Sequence, residues 1–245
     1  MDSPSRRNFI LSQNLIGGQF SSSRVTTEYL DETELTPSSL DVFDHGRPLG
    51  LSPGYSVKGR LIILAITDDQ NCRLITFQKS GSKSGRLAVL QEKILCRAAG
   101  ELFAFDMGPL TMSLYSDLGL RIAGAIDIQS SLSASGRKPL ASIRKLVGDS
   151  ADVFAANVET VFREPIYDFE NRRHSVELAA RAWVAYFLAT FENGQEVFDK
   201  VPRINTKDMN DLVQCLLPLT CASLTVESSA NSDDCKTFLG CTQAR

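Results

Sequence analysis

Two aspartates, Asp106 and Asp127, each close a short apolar run within the stretch ELFAFDMGPLTMSLYSDLGLRIAGAIDIQ, Glu101 to Gln129. Carboxylates at the ends of strands in an α/β sheet sit where a divalent cation or a reacting group would be held. An aspartate that opens a helix also accepts backbone N–H bonds, so both residues can equally be caps. Asp41, Asp44 and His45 form a second acidic group, placed where SSLDVFD meets a Gly/Pro-rich segment; they read either as a metal corner or as an Asx turn. The chain has only two histidines, too few for a histidine-rich metal site, and His174 is a candidate general base. Arg137, Lys138, Arg144, Lys145, Arg172 and Arg173 could track a phosphate backbone, or simply make a surface of mixed charge. Arg181 could neutralise leftover carboxylates, grip a phosphate with its planar fork, or pair with Glu177 one turn earlier. Trp183 and Tyr186 on the same helix serve either as core or as a platform for stacking bases.

The elements that must position these groups can be read from periodicity. Leu102 to Phe105 and Arg121 to Ile126 predict strands, with a helix from about Pro109 to Leu118 and a turn at Gly119 between them. Upstream, Ser38 to Asp44 predicts a first strand, and HGRPLGLSPG predicts loop and turn. RLIILAIT (Arg60 to Thr67) predicts a central strand buried on both faces, and CRLITFQ (Cys72 to Gln78) closes a hairpin with it. Arg86 to Ala98 is amphipathic, with Leu87, Leu90, Ile94 and Leu95 on one side. After Asp127 the pattern turns helical, at Pro139 to Val147, Asp152 to Phe162 and Val176 to Phe191. A further apolar helix is expected over Asp208 to Leu217.

The resulting order, β-β-β-α-β-α-β followed by helices, predicts an α/β fold of the ribonuclease-H-like kind: a mixed sheet of about five strands with helices on both faces. No G-x-G-x-x-G, P-loop, G-x-S-x-G or H-E-x-x-H motif occurs, which removes the commonest dinucleotide, nucleotide, serine-hydrolase and zinc-protease readings. Residues 1–37, Ser/Thr-rich and weakly periodic, are expected to form a partly flexible arm with one short helix. Residues 38–193 form the main domain, and 194–245 a helical extension with a Cys/Ser-rich tail.

With 245 residues, 43% hydrophobic and 22% charged, the chain suits one sizeable core. A net charge of −3 gives no global attraction to nucleic acid, so such binding would need a local basic face. No stretch approaches the length of a membrane span, and the apolar run after Arg6 and Arg7 is too short for a signal peptide; an intracellular, cytoplasmic or nuclear protein is expected. Cys72, Cys96, Cys215, Cys221, Cys235 and Cys241 lack the short paired spacing of structural zinc sites and are expected to be reduced thiols.

Three segments resemble the DEDD family of 3′–5′ exonuclease domains, in the branch common among fungal proteins. They are SSLDVFDHG with GRLIILAIT, the middle segment FAFDMGPLTMSLYSDLGLRIAGAIDIQ, and FENRRHSVELAARAWVAYFLATF; together they span roughly Ser38 to Phe191. The resemblance implies four carboxylates holding two divalent metals, Mg²⁺ or Mn²⁺, about 4 Å apart around a phosphodiester. In this chain the acids do not line up with that pattern. With Gly46 as anchor, the Asp-x-Glu positions of the first strand fall on Phe43 and His45; the aspartate of the middle helix falls within Pro109 to Met112, and that of the last helix near Arg181 or Ala182. Asp106 and Asp127 match acidic positions that mainly mark strand ends. The resemblance therefore implies a degenerate member, a pseudoenzyme that binds RNA or single-stranded DNA, or a protein partner, with no cofactor. Two alternatives stand beside it: an active Mg²⁺- or Mn²⁺-dependent exonuclease using Asp41, Asp44, Asp106 and Asp127, and an enzyme that reuses the old cleft for a small molecule.

Overall fold

Seven strands form one mixed sheet in the computed structural model, which describes residues 8–12, 14–17, 24–77, 85–132, 138–148, 152–163, 166–191 and 194–207. They are β1 (Phe9–Ser12), β2 (Arg24–Asp31), β3 (Leu49–Tyr55), β4 (Leu61–Thr67), β5 (Asn71–Thr76), β6 (Leu102–Ala104) and β7 (Ala125–Asp127), in the spatial order β1-β2-β5-β4-β3-β6-β7. β4 runs antiparallel to both β3 and β5, whereas β6 and β7 run parallel to β3. The five strands from β3 onward thus open with a meander and continue with parallel strands on the other side of β3. That is the ribonuclease-H-like arrangement, with β1 and β2 added at the far edge.

The helices are α1 (Pro37–Leu40), α2 (Gly85–Leu90), α3 (Met107–Leu118), α4 (Pro139–Val147), α5 (Ala155–Val161), α6 (Arg172–Thr190) and α7 (Gly194–Phe198). Strand alternation splits the apolar residues into two cores, one on each face. Phe103, Ile126, Ile63, Leu74 and much of α6 make one core; Leu49, Leu51, Leu64, Ile66, Leu102 and the inner side of α3 make the other. α6 lies across the middle of its face and buries twelve of its residues, from Ser175 to Ala189, which is why its sequence is rich in alanine and nearly free of charge after Arg181.

Three local predictions are corrected. Ser38 to Asp44 is not a strand: Thr36 caps α1 through a reciprocal bond with Ser39, Pro37 stands at the first helical position, and the chain leaves α1 in a turn. The segment expected to be loop, LGLSPGY, is instead β3, the central strand. Pro53 is tolerated there because β6 pairs only with Leu49 and Gly50, and the next pairing on that side of β3 is the bridge of Tyr55 to Ile166, which leaves Pro53 without a ladder partner there. The stretch expected as a partly flexible arm carries two strands, with β1 antiparallel to β2 and β2 parallel to β5. Smaller shifts occur too. The predicted Arg86 to Ala98 helix becomes α2 followed by a π-helical turn, Gln91–Leu95, and the strand expected over Arg121 to Ile126 is confined to β7.

The chain divides into two units, Met1–Lys207 and Asp208–Arg245; the helix expected over Asp208 to Leu217 and Cys215, Cys221, Cys235 and Cys241 lie outside the described residues. Cys72 is buried and Cys96 half-buried; neither is in a disulfide among the described residues, and Cys96 Sγ donates to the Arg121 carbonyl at 3.3 Å. Burial pushes the Cys72 thiol up to about 12, so it stays protonated and packs as a small apolar group.

Candidate functional site

The carboxyl ends of β3, β6 and β7 meet on one side of the molecule, and α6 runs antiparallel to β3 across one face of that region. Alternation along β3 turns Leu49 and Leu51 toward α3 and Gly50, Ser52 and Gly54 toward α6. A Cβ on Gly50 would lie 2.0 Å from the Ala182 carbonyl oxygen and 2.6 Å from the Tyr186 nitrogen, so helix and strand are in backbone contact. A Cβ on Gly54 would meet Ile63 Cγ2 at 2.5 Å and Tyr167 Cβ at 3.0 Å. Between these two glycines Ser52, which is 3% exposed, accepts a bond from Arg181 Nε at 3.2 Å, and an Arg181 Nη donates to the Val161 carbonyl at 3.3 Å.

Burial pulls the Arg181 guanidinium down to about 10, against the opposing pull of Glu177 and Tyr55; it remains a cation at neutral pH. Glu177, one turn earlier and itself poorly exposed, accepts from Arg173 Nε at 2.7 Å, so Arg173, Glu177 and Arg181 make a charge ladder that leads from solvent into the sheet. On the other face of β3 burial pushes the Tyr55 phenol up, and the charges of Asp106 and Asp117 add to that shift.

Asp106 and Asp127 do come to the same rim. Asp106 adopts the left-handed conformation (φ 56, ψ 47) as it opens α3, and its carboxylate accepts from the Gln129 side-chain amide at 2.8 Å. Asp127 caps the 3-10 turn Ile128–Ser131, accepting from Gln129 N at 3.0 Å and from the Ser130 hydroxyl at 3.1 Å. Desolvation, then Asp127, raises the Asp106 carboxyl. The native state therefore holds that proton to higher pH than the unfolded chain does, and stability falls as pH rises through the carboxyl range. Asp106→Asn keeps an acceptor for Gln129, tolerates the left-handed backbone and removes the charge. It is expected to melt at higher temperature than the parent at neutral pH, with the difference gone near pH ~3, where the carboxyl is protonated in both states. A lower melting temperature at neutral pH would mean that the Asp106 charge has a partner it depends on.

The other acidic candidates lie at the opposite end of the sheet. Asp41 pairs with Lys93 at 3.2 Å; Asp44 accepts from Gly46 N at 2.9 Å and faces Arg47 at 3.5 Å; His45 is exposed in the same loop. That loop precedes the amino end of β3 and is held there by Arg97. This 9% exposed guanidinium donates to the carbonyls of Asp44, Arg47, Gly100 and Glu101. β3 and β6 are parallel, so the loop of Asp41, Asp44 and His45 and the rim of Asp106 and Asp127 lie at opposite ends of β6. Among the described residues no group of three or more His, Cys, Asp or Glu side chains is placed to hold a metal ion.

The basic candidates are spread over separate elements. Lys138 precedes α4, and Arg144 and Lys145 stand exposed in its last turn, with Lys145 Nζ donating to the Ser131 carbonyl at 2.7 Å. Arg172 lies over the Phe9 ring, 6.0 Å from its centroid, and Arg173 is held by Glu177. Arg137 lies outside the described residues. His174 accepts from Asp168 N through Nδ1, which fixes the turn that enters α6. Trp183 is buried and stacks on Phe187 at 5.2 Å, and Tyr186 is buried too, so neither presents a face to a base.

Ser52, Gly54, Tyr55 and Arg97 were missed as positional residues because the strand that carries three of them was read as loop. The available signal was spacing: Gly50-x-Ser52-x-Gly54 puts three small residues on one face of any extended chain.

No protein-family model matches the chain, and no curated protein matches it. Among solved structures it is similar to the RNase D of Trypanosoma brucei, with 16% identity over 83% of this chain and 77% of that one and a TM-score of 0.47. The GMP complex of the same enzyme matches at 16% identity, covering 83% of this chain and 68% of that one, with a TM-score of 0.45.

Proposed function

We infer that the chain is an exonuclease-fold module whose metal site has degenerated, a non-catalytic protein that binds nucleic acid or another protein. One observation carries the reading. On the central strand, the face toward the last long helix presents Gly50, Ser52 and Gly54, and the side chain that reaches it from α6 is the Arg181 cation. Mg²⁺ and Mn²⁺ take hard oxygen ligands and are anchored by carboxylates. Two glycines, a serine and a guanidinium do not fit them, and the cation would repel a metal. α6 touches β3 backbone to backbone, so no cleft separates them for a substrate strand.

An active exonuclease built from Asp41, Asp44, Asp106 and Asp127 would need acids from opposite ends of the sheet to share one site. A small-molecule enzyme in the same cleft would need space that the β3–α6 contact fills. The nucleic-acid alternative narrows to α4, where Lys138, Arg144 and Lys145 occur with no acidic residue on the helix.

Labelled single-stranded RNA and DNA, incubated with the purified chain in Mg²⁺, Mn²⁺ or EDTA, are expected to keep their length in all three. If RNA binds, its affinity should fall with salt with a slope set by about three phosphate contacts, and Lys145→Ala with Arg144→Ala should reduce that slope. Metal-dependent shortening from the 3′ end would overturn the reading.

A further inference from the structure

We propose that two copies of the chain pair edge to edge through β1, antiparallel across a two-fold axis at Ile10, so that their sheets join. The proposal neither needs nor excludes the reading given above, because β2, β5 and β4 stand between β1 and β3. An open sheet has two edges, and each presents backbone N–H and C=O groups that pair with another strand unless something blocks them. This chain closes one of them. Beside β7, Ala125 and Ile204 exchange backbone bonds at 3.1 and 2.7 Å. Next to that bridge Thr206 N donates to the Ile122 carbonyl at 2.8 Å, and the Thr206 hydroxyl accepts from Ile122 N at 3.0 Å.

The β1 edge has no such cover among the described residues: its ladder is with β2 alone, from Phe9↔Thr27 to Ser12↔Arg24. It also lacks the usual guards. The ladder runs through four consecutive pairs without a bulge, and Asn8 to Ser12 holds no Lys, Pro or acid. Ile10, in the middle of this stretch, is 63% exposed.

The residues of the edge indicate which strand suits it. Asn8-Phe9-Ile10-Leu11-Ser12 reads polar, apolar, apolar, apolar, polar in either direction. An antiparallel copy therefore meets like with like, and no charge opposes another. Pleating limits the register, because opposed residues in a continuous sheet share a face. Leu11 is buried and Phe9 packs against the same core on the α6 side, so alternation turns Ile10 to the other face. A two-fold at Leu11 would set Ile10 against Ser12 and leave an apolar side chain beside a polar one. A two-fold at Ile10 sets Ile10 on its own copy, Phe9 on Leu11 and Asn8 on Ser12. That register covers the exposed side chain and carries the α6-side core from one copy into the next. One patch serves both partners, as a closed two-fold dimer requires.

Sedimentation equilibrium of the full chain at up to roughly 1 mM is expected to show a monomer–dimer equilibrium with a dissociation constant on the order of 100 µM, since one short ladder is a small interface. Ile10→Lys sets two ammonium groups side by side at the axis and should weaken the dimer by about tenfold or more. The melting temperature at low concentration should change little, because Ile10 is mostly exposed. Ile10→Asp should weaken the dimer in the same way, and an equimolar mixture of Ile10→Lys and Ile10→Asp should dimerise again. A dimer made elsewhere on the chain would not show that recovery. A chain that stays monomeric over this range would overturn the proposal and leave the edge to a strand of another protein. A dimer indifferent to Ile10→Lys, or a mixture that does not recover, would overturn it equally.

Discussion

Gly50→Ala is expected to cost about 4 kcal/mol or more, enough to leave little folded protein. The added methyl would sit 2.0 Å from the Ala182 carbonyl oxygen and 2.6 Å from the Tyr186 nitrogen. Both are backbone atoms in the middle of α6, so neither can swing aside as a long side chain would. Relief would require α6 to lift from β3, which opens the core that Leu178, Ala182 and Ala185 close. Gly108→Ala is the counterpart. Gly108 lies in the first turn of α3, has open space where its Cβ would go, and should be stabilised by about 0.5 kcal/mol through the reduced freedom of the unfolded chain. Urea melts of both variants test the pair. A Gly50→Ala protein within about 1 kcal/mol of the parent would mean that α6 and β3 are not in backbone contact, and the closed cleft would go with it.

How much of this was legible in the chain depended on whether local pattern and tertiary burial agreed. β4, β5, β6 and α3 show it well: their apolar runs have the right length and period, and Gly119 stops α3 in a left-handed turn as expected. β3 is the opposite case. Two glycines and a proline in seven residues say loop by every local rule, yet the same glycines are what lets α6 lie against the strand. The residue choice was made by the helix on top of the strand, which no window along the chain contains. The same reading set the acidic candidates, because it took SSLDVFDHG as the first strand and so pointed to Asp41, Asp44 and His45, which lie in the loop before the amino end of β3. Arg181 escaped the error. It was identified from its place in the last helix, and the structure sets it on Ser52 of the true central strand.

Arg181→Ala is expected to destabilise the chain by about 3 kcal/mol, because it leaves the Ser52 hydroxyl and the Val161 carbonyl short of a partner and removes the buried cation that faces the Glu177 charge. Arg181→Met with Glu177→Gln should recover most of that loss, since replacing a buried charged pair by groups of similar size is often close to neutral. A double-mutant cycle measured by urea unfolding gives the coupling; an additive result would show that Glu177 and Arg181 do not act together. The same residue tests whether metal chemistry can be introduced. Arg181→Asp combined with Ser52→Asp would place two carboxylates side by side, one on α6 and one on β3. No metal-dependent cleavage of single-stranded RNA or DNA is expected, because a third acid at Gly54 would collide with Ile63 and Tyr167 and no substrate path lies between β3 and α6. Mg²⁺-dependent shortening by that double variant would mean the cleft opens in solution, and that Arg181 closes an enzyme rather than completing a scaffold.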